Sequence, residues 1–147
     1  MQIDTWLIVL FIIMWALGPA TQVLQLIAPQ LHYKLGLMEK AAFEPEFKWF
    51  RLYERGTAYA DLTHFFAGIA FVWLAIAGNE TALVFGLYTC SVYLFVMTQY
   101  LVQLVLLTRQ NLHPVSKDQI GFYVVYAGLF IAFGLYGLFY LWAIASA

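Results

Sequence analysis

All seven Lys and Arg residues of this 147-residue chain fall in two segments, 34–55 and 109–117. The remainder is long apolar stretches joined by short connections that carry no base. Segments near 6–28, 57–77, 81–107 and 120–145 are each long enough to cross a hydrocarbon layer of ~30 Å at ~1.5 Å per residue. Lys34, Lys40, Lys48, Arg51 and Arg55 then lie between spans one and two, and Arg109 and Lys117 between spans three and four. Asp4 precedes the first span and Glu80 sits in the second connection. Basic connections stay on the cytoplasmic side of a membrane, so loops one and three are predicted inside and both termini outside. The expected fold class is an all-α integral membrane protein: one four-transmembrane-helix bundle over 1–147 in the inner (cytoplasmic) membrane. Its first loop is long and internal, with an interfacial segment over 30–56.

An apolar content of 64% with only 10% charged residues excludes a water-soluble globule. The formal charge of −1 gives no electrostatic basis for a nucleic-acid partner. The basic inner face is instead suited to anionic head groups. The partners expected are therefore membrane lipids and further protein, either copies of this chain in a homo-oligomer or a larger membrane complex. The first apolar stretch lacks a basic leader and runs past twenty residues, so it is read as a retained helix and not as a cleaved signal. Cys90 is the only cysteine, which leaves no intramolecular disulfide and no Cys-built metal cage. It reads as a small buried apolar residue.

Within span one, Gly18-Pro19 predicts a kink, because proline removes a helical donor and clashes with the preceding turn. Gln22 and Gln25 follow toward the inner end, and Pro29 is expected to close the helix. Glu44-Pro45-Glu46 reads as a helix start, with acids at its positive end. A short interfacial helix is expected from there, open to being continuous with span two. Gly78-Asn79-Glu80 is a tight turn that makes spans two and three an antiparallel hairpin. Ser116 and Gln119 are spaced as a capping box for the fourth helix. Small residues that let helices approach recur in span four at Gly121, Gly128, Ala132, Gly134 and Gly137, and in span two at Ala60, Ala67, Gly68, Ala70 and Ala75.

Asp61 and His64 are the sharpest chemical feature. Three apart on span two, they share a helical face, and Glu54 lies on it one heptad earlier. Ionisable groups at such depth point into a bundle or a wet cavity. Matching depth brings Gln22 and Gln25 from span one, Gln99 and Gln103 from span three, and Tyr123 and Tyr126 from span four. Together they define an expected inward-opening polar pocket beneath an apolar outer half. Several readings of it stay open. The polar groups satisfy one another and fix helix register; or His64 acts as acid/base oriented by Asp61 on a lipophilic substrate. An acid three residues before a His is also half of a carboxylate-bridged metal site, but the other half is missing from the chain, so no metal is assigned. Haem wants two facing His at one depth, whereas His32 and His113 are loop residues; no cofactor is assigned. Tyr88, Thr89, Ser91 and Tyr93 fit either packing or a path for a lipophile. The reading favoured is an accessory subunit or lipophilic-ligand binder, the alternative a small intramembrane enzyme or transporter.

The plan resembles the membrane-associated eicosanoid and glutathione metabolism family in length, four spans, long inner first loop and outward termini. That family places an Arg on span two, an Asn four residues later and an acid three further on. From Arg55 this sequence has Tyr59 and Leu62 in those places, and Asp61 falls one residue, or about 100° of helix, away. The glutathione-gripping residues therefore do not carry over. Residues 61–142, with the run Phe122-Tyr123-Val124-Val125-Tyr126-Ala127-Gly128-Leu129-Phe130, are also similar to uncharacterised bacterial four-span membrane proteins, a likeness that implies no activity.

Overall fold

The Gly18-Pro19 pair divides the first apolar stretch into two helices, α1 (Thr5–Leu17) and α2 (Pro19–Ile27). Gly18 takes φ −105°, ψ −96°, which no helical residue adopts, and Pro19 opens the new helix with the φ it already prefers. At the break, Leu17 O accepts the Tyr126 hydroxyl at 2.9 Å, while Gly18 O starts the α2 ladder by accepting Thr21 N–H at 3.0 Å and also takes the Thr21 hydroxyl at 2.6 Å. The computed structural model describes residues 3–38 and 40–146 of the chain.

Pro29 does not simply end the first span. Ala28 (φ −143°, ψ 63°) terminates α2, and Pro29 then starts a short helix, α3 (Pro29–Lys34). A proline that cannot continue one helix is well suited to the first position of the next. Short 3₁₀ turns at Lys40–Phe43 and Pro45–Phe47 lead directly into α4 (Lys48–Ile76), so the interfacial segment and span two are continuous. Two further long helices follow, α5 (Ala82–Arg109) and α6 (Ile120–Ala145). Four segments are long and apolar enough to cross a membrane: Thr5–Ile27, Pro45–Ile76, Ala82–Arg109 and Ile120–Ala145.

The reversals between helices follow from single residues. After α4, Gly78 adopts φ +67°, and Asn79 N–H bonds back to Leu74 O at 2.9 Å while Gly78 N–H bonds to Ala75 O at 3.1 Å. This is the Schellman pattern that a left-handed glycine permits. After α5, Asn111 takes the same role at φ +55°, with Leu112 N–H reaching Leu107 O at 2.8 Å. Asn tolerates this conformation better than other side chains. The expected capping box forms differently: α6 begins at Ile120, and the Ser116 hydroxyl donates to Gln119 Oε1 at 2.8 Å one turn ahead of it.

Packing in an apolar solvent depends on close van der Waals fit and not on hiding apolar surface, and the glycines show where that fit is tightest. A Cβ on Gly134 would stand 2.9 Å from Cys90 O and 3.2 Å from Leu94 N, so α6 and α5 approach backbone to backbone. Gly137 faces the Cys90 sulfur, Gly86 sits between Phe71 and Leu141, and Gly68 lies under the indole of Trp15. Trp15 also donates to Phe65 O at 3.0 Å, which ties α1 to α4. Phe11 and Phe71 stack between the same helices with ring centroids 4.2 Å apart. The stripe expected on span four is split by this geometry. Gly134 and Gly137 form the contact, whereas Gly121, Gly128 and Ala132 are exposed, and a Cβ on Gly121 or Gly128 would meet nothing within 4 Å.

Two substitutions test the assignment. Gly134→Ala must push two backbones apart and should destabilise the folded protein by about 1–3 kcal/mol. Gly128→Ala gains helix propensity in open space and should be neutral or stabilising by up to about 1 kcal/mol. Unfolding by sodium dodecyl sulfate titration in mixed micelles, followed by circular dichroism, measures both; equal effects would remove the distinction.

Candidate functional site

The break at Gly18 sends α2, which carries Gln22 and Gln25, along α4, which carries Asp61 and His64. Asp61 and His64 stand on one face of α4 roughly 22 and 18 Å below its Ile76 end at ~1.5 Å per residue. His64 is nearly enclosed, at 4% exposure, with its ring in edge contact with Tyr93 (centroids 4.4 Å apart) and lying against the backbone of Thr89. Tyr93 and Thr89 are 1% and 0% exposed. Asp61 is half-buried and within electrostatic reach of Tyr93 and Tyr126, and Glu54 lies within reach of Asp61.

What distinguishes this cluster is that its polar atoms do not satisfy one another. Six buried side-chain atoms among the described residues have no hydrogen-bond partner, and five belong to this region: Gln22 Oε1, Gln25 Oε1, His64 Nε2, Thr89 Oγ1 and Tyr93 OH. They come from α2, α4 and α5. Leaving a buried polar group unmet costs about 1–3 kcal/mol.

Rings close the cluster toward one end. Toward the Ile76 end of α4, Phe11, Phe71, Tyr93, Phe130 and Phe133 form a continuous aromatic layer, with Phe11–Phe133 and Tyr93–Phe133 both 5.6 Å and Tyr93–Phe130 5.2 Å between centroids. Toward the basic end, the same α4 face continues through Thr57 to Glu54.

Of the other expected pocket residues, Tyr126 stays within reach of Asp61 but is already engaged, and the remaining three are placed differently. Tyr126 spends its proton on the helix break, at Leu17 O. Tyr123 is half-buried, with its ring 6.4 Å from that of Tyr100. Gln103 is paired with Tyr53, whose hydroxyl lies 2.9 Å from Oε1 and 2.7 Å from Nε2. Gln99 is exposed and lines a surface groove of about 440 Å³ with Ser91, Leu94, Phe95, Thr98 and Leu138. Thr89 and Tyr93 belong to the cluster but were not assigned to the pocket from sequence. Their signal was the spacing of Ala82, Gly86, Thr89, Cys90 and Tyr93, which places small residues and one large polar ring on a single buried face of α5. Among the described residues no group of three metal-ligating side chains forms.

The basic end is capped by its loops. Arg51 donates to Ala42 O at 2.6 Å and holds its guanidinium 5.7 Å from the Phe43 ring, which packs on Tyr33. His113 packs edge-on against Phe50 at 5.0 Å, and its Nδ1 accepts the Val115 N–H at 3.1 Å. Burial holds the pKa of both His113 and His32 below the ordinary imidazole value. Compared with protein-family models, curated proteins and solved structures, the chain matches none.

A lowered histidine pKa means that the unfolded chain takes the proton first. Stability is therefore fully present at neutral pH and falls as pH drops through about 6.5, levelling off below the folded pKa. For His113 the proton would also displace the Val115 N–H from Nδ1. His113→Asn keeps an acceptor near that position without titrating. The melting temperature of the native chain should fall from pH 7.5 to about 5, and the fall should be smaller in the Asn variant; identical pH profiles would exclude His113 as a contributor.

Proposed function

We propose that this chain is a multi-pass membrane protein that binds the polar head of a lipophile in the cytoplasmic half of the bilayer. On this reading the basic connections face the cytoplasm, both termini face out, and the chain works as a homo-oligomer or within a larger complex. The observation that carries the binding role is the set of unpartnered buried atoms on Gln22, Gln25, His64, Thr89 and Tyr93. A network that only fixed register would close on itself, as Tyr53 and Gln103 do. The cluster instead offers two amide groups, an imidazole nitrogen and two hydroxyls beside the Asp61 carboxylate, and this chemistry suits a head group bearing hydrogen-bond donors. Gln22 and Gln25 hold it from one side, Asp61 and His64 receive its donors, and Tyr93 closes its far end. The aromatic layer beyond Tyr93 favours binding from the inner side over passage through the bundle.

Native mass spectrometry with an absorption spectrum, on protein released from its own membrane in nanodiscs, should show a stoichiometric lipophile. Asp61→Asn and His64→Ala should keep helicity and assembly and lose that molecule. A ligand-free protein in which His64→Ala chiefly loses stability would assign the cluster to helix register alone. Orientation is checked separately in a Cys90→Ala background: a cysteine at Ser146 should react with a membrane-impermeant maleimide on intact cells, and one at Ser116 only after lysis. The reverse pattern would invert the topology.

A further inference from the structure

A second site lies at the other side of the basic end, where α5 gives way to α6. A groove of about 400 Å³ is lined by Leu104, Val105, Thr108, Arg109, Asn111, Lys117 and Ile120. Its size falls within the ~300–1,000 Å³ of small-molecule clefts. We propose that this groove binds the phosphate head group of an anionic glycerophospholipid, with the acyl chains leaving along its apolar wall. This site is independent of the Asp61–His64 cluster.

The chemistry is laid out in order of depth. Leu104, Val105 and Ile120 form the part within the apolar length of the helices, and Arg109 and Lys117 stand at the rim. Both bases are exposed, and no acid is among the residues that line the groove; Asp118, next in the chain to Lys117, is not one of them. Between the two zones sits Thr108, whose Oγ1 is buried and has no partner in the protein. Thr108 lines the wall at that level, close enough for its hydroxyl to turn toward a phosphodiester oxygen, and Arg supplies the bidentate geometry that phosphate oxygens accept.

Local backbone geometry builds the pairing. The left-handed Asn111 turns the chain back immediately after Arg109, so that the following loop returns Lys117 to the same groove. The ends of α5 and α6 meet there with opposite dipoles, which largely offset each other. The sign of the groove is therefore set by Arg109 and Lys117. A merely basic surface attracts anionic lipid diffusely. Here two bases, an unsatisfied hydroxyl and an apolar wall share one concavity.

The test uses the full-length chain in nanodiscs of equal phosphatidylglycerol and phosphatidylcholine, with lipid retained after release read by native mass spectrometry. One phosphatidylglycerol per chain should be retained in preference to phosphatidylcholine. The double variant Arg109→Gln/Lys117→Gln should lower that preference about ten-fold, and Thr108→Val by a smaller factor, about three-fold. The matched variant Lys34→Gln/Lys48→Gln removes the same charge from exposed positions at the same end and should leave it unchanged. Equal losses in both double variants would reduce the effect to diffuse attraction and overturn the site. Retention indifferent to Arg109 and Lys117 would overturn it too. Displacement of the lipid by millimolar inorganic phosphate would assign the groove to free phosphate instead.

Discussion

A helix interrupted within an apolar span leaves carbonyls that no surrounding lipid can meet, so the protein itself must meet them. That constraint at Gly18-Pro19 organises the rest of the molecule. Tyr126 reaches across from α6 to Leu17 O, and Phe130 packs over Gly18, where a Cβ would stand 2.9 Å from its ring. The break is thereby fixed against α6 while α2 is redirected onto α4. Without it, a straight first helix would keep Gln22 and Gln25 in line with the apolar face of α1. With it, they lie on the helix that packs along α4, the carrier of Asp61 and His64. The same event that places the amides also consumes the Tyr126 hydroxyl, which is why that residue holds the scaffold and is not free for a ligand.

The two halves of the bundle consequently differ in kind. In the half beyond His64, glycines at 68, 86, 134 and 137 bring neighbours close enough that a single methyl would collide. Rings fill the remaining space, from Phe11 and Phe71 to Phe133. Dense interiors of this sort resist deformation. In the half toward the basic loops, helices are broken or tightened into 3₁₀ turns, polar atoms lie unmet, and the covering loops are held by Arg51 and His113. Any rearrangement that admits a ligand belongs to this half.

Much of the architecture was legible in the sequence because it rests on length, charge placement and a few residues with one conformational meaning. The four long segments, the break at Gly18-Pro19 and the left-handed turn at Gly78 follow from hydropathy and from what proline and glycine permit. Rotation about each helix was not legible. Gln99 and Gln103 were grouped with Asp61 by depth, but depth says nothing about azimuth, one residue turns a side chain by ~100°, and Gln103 meets α4 at Tyr53, about two turns from Asp61. Gln99 consequently opens onto a surface groove, and Gln103 is satisfied by Tyr53. The same ambiguity hid the split between Gly128 and Gly134. Pro29 closes the first span as its chemistry predicts, and what the sequence did not show is that the same proline opens the short helix α3, since proline suits a first helical position as well.

The aromatic layer bears most directly on what the polar cluster can do. A conducting path needs polar or hydrated steps across the full apolar thickness, and the chain of such groups on α4 runs from Glu54 through Thr57 and Asp61 to His64 and then stops at rings. Opening it further would require Tyr93, Phe11 and Phe133 to leave mutual contact, and they are wedged between helices that touch at Gly86 and Gly134. On the proposed reading, polar groups floored by rings would fix the depth of a head group and let its tail leave sideways or back toward the basic face. The cluster and the Arg109–Lys117 groove share that basic end but face it with opposite charge, carboxylates in one and cations in the other. On the two proposals made above, lipophiles of opposite head-group character would be told apart at one end of the same small bundle, by local charge and depth rather than by overall shape.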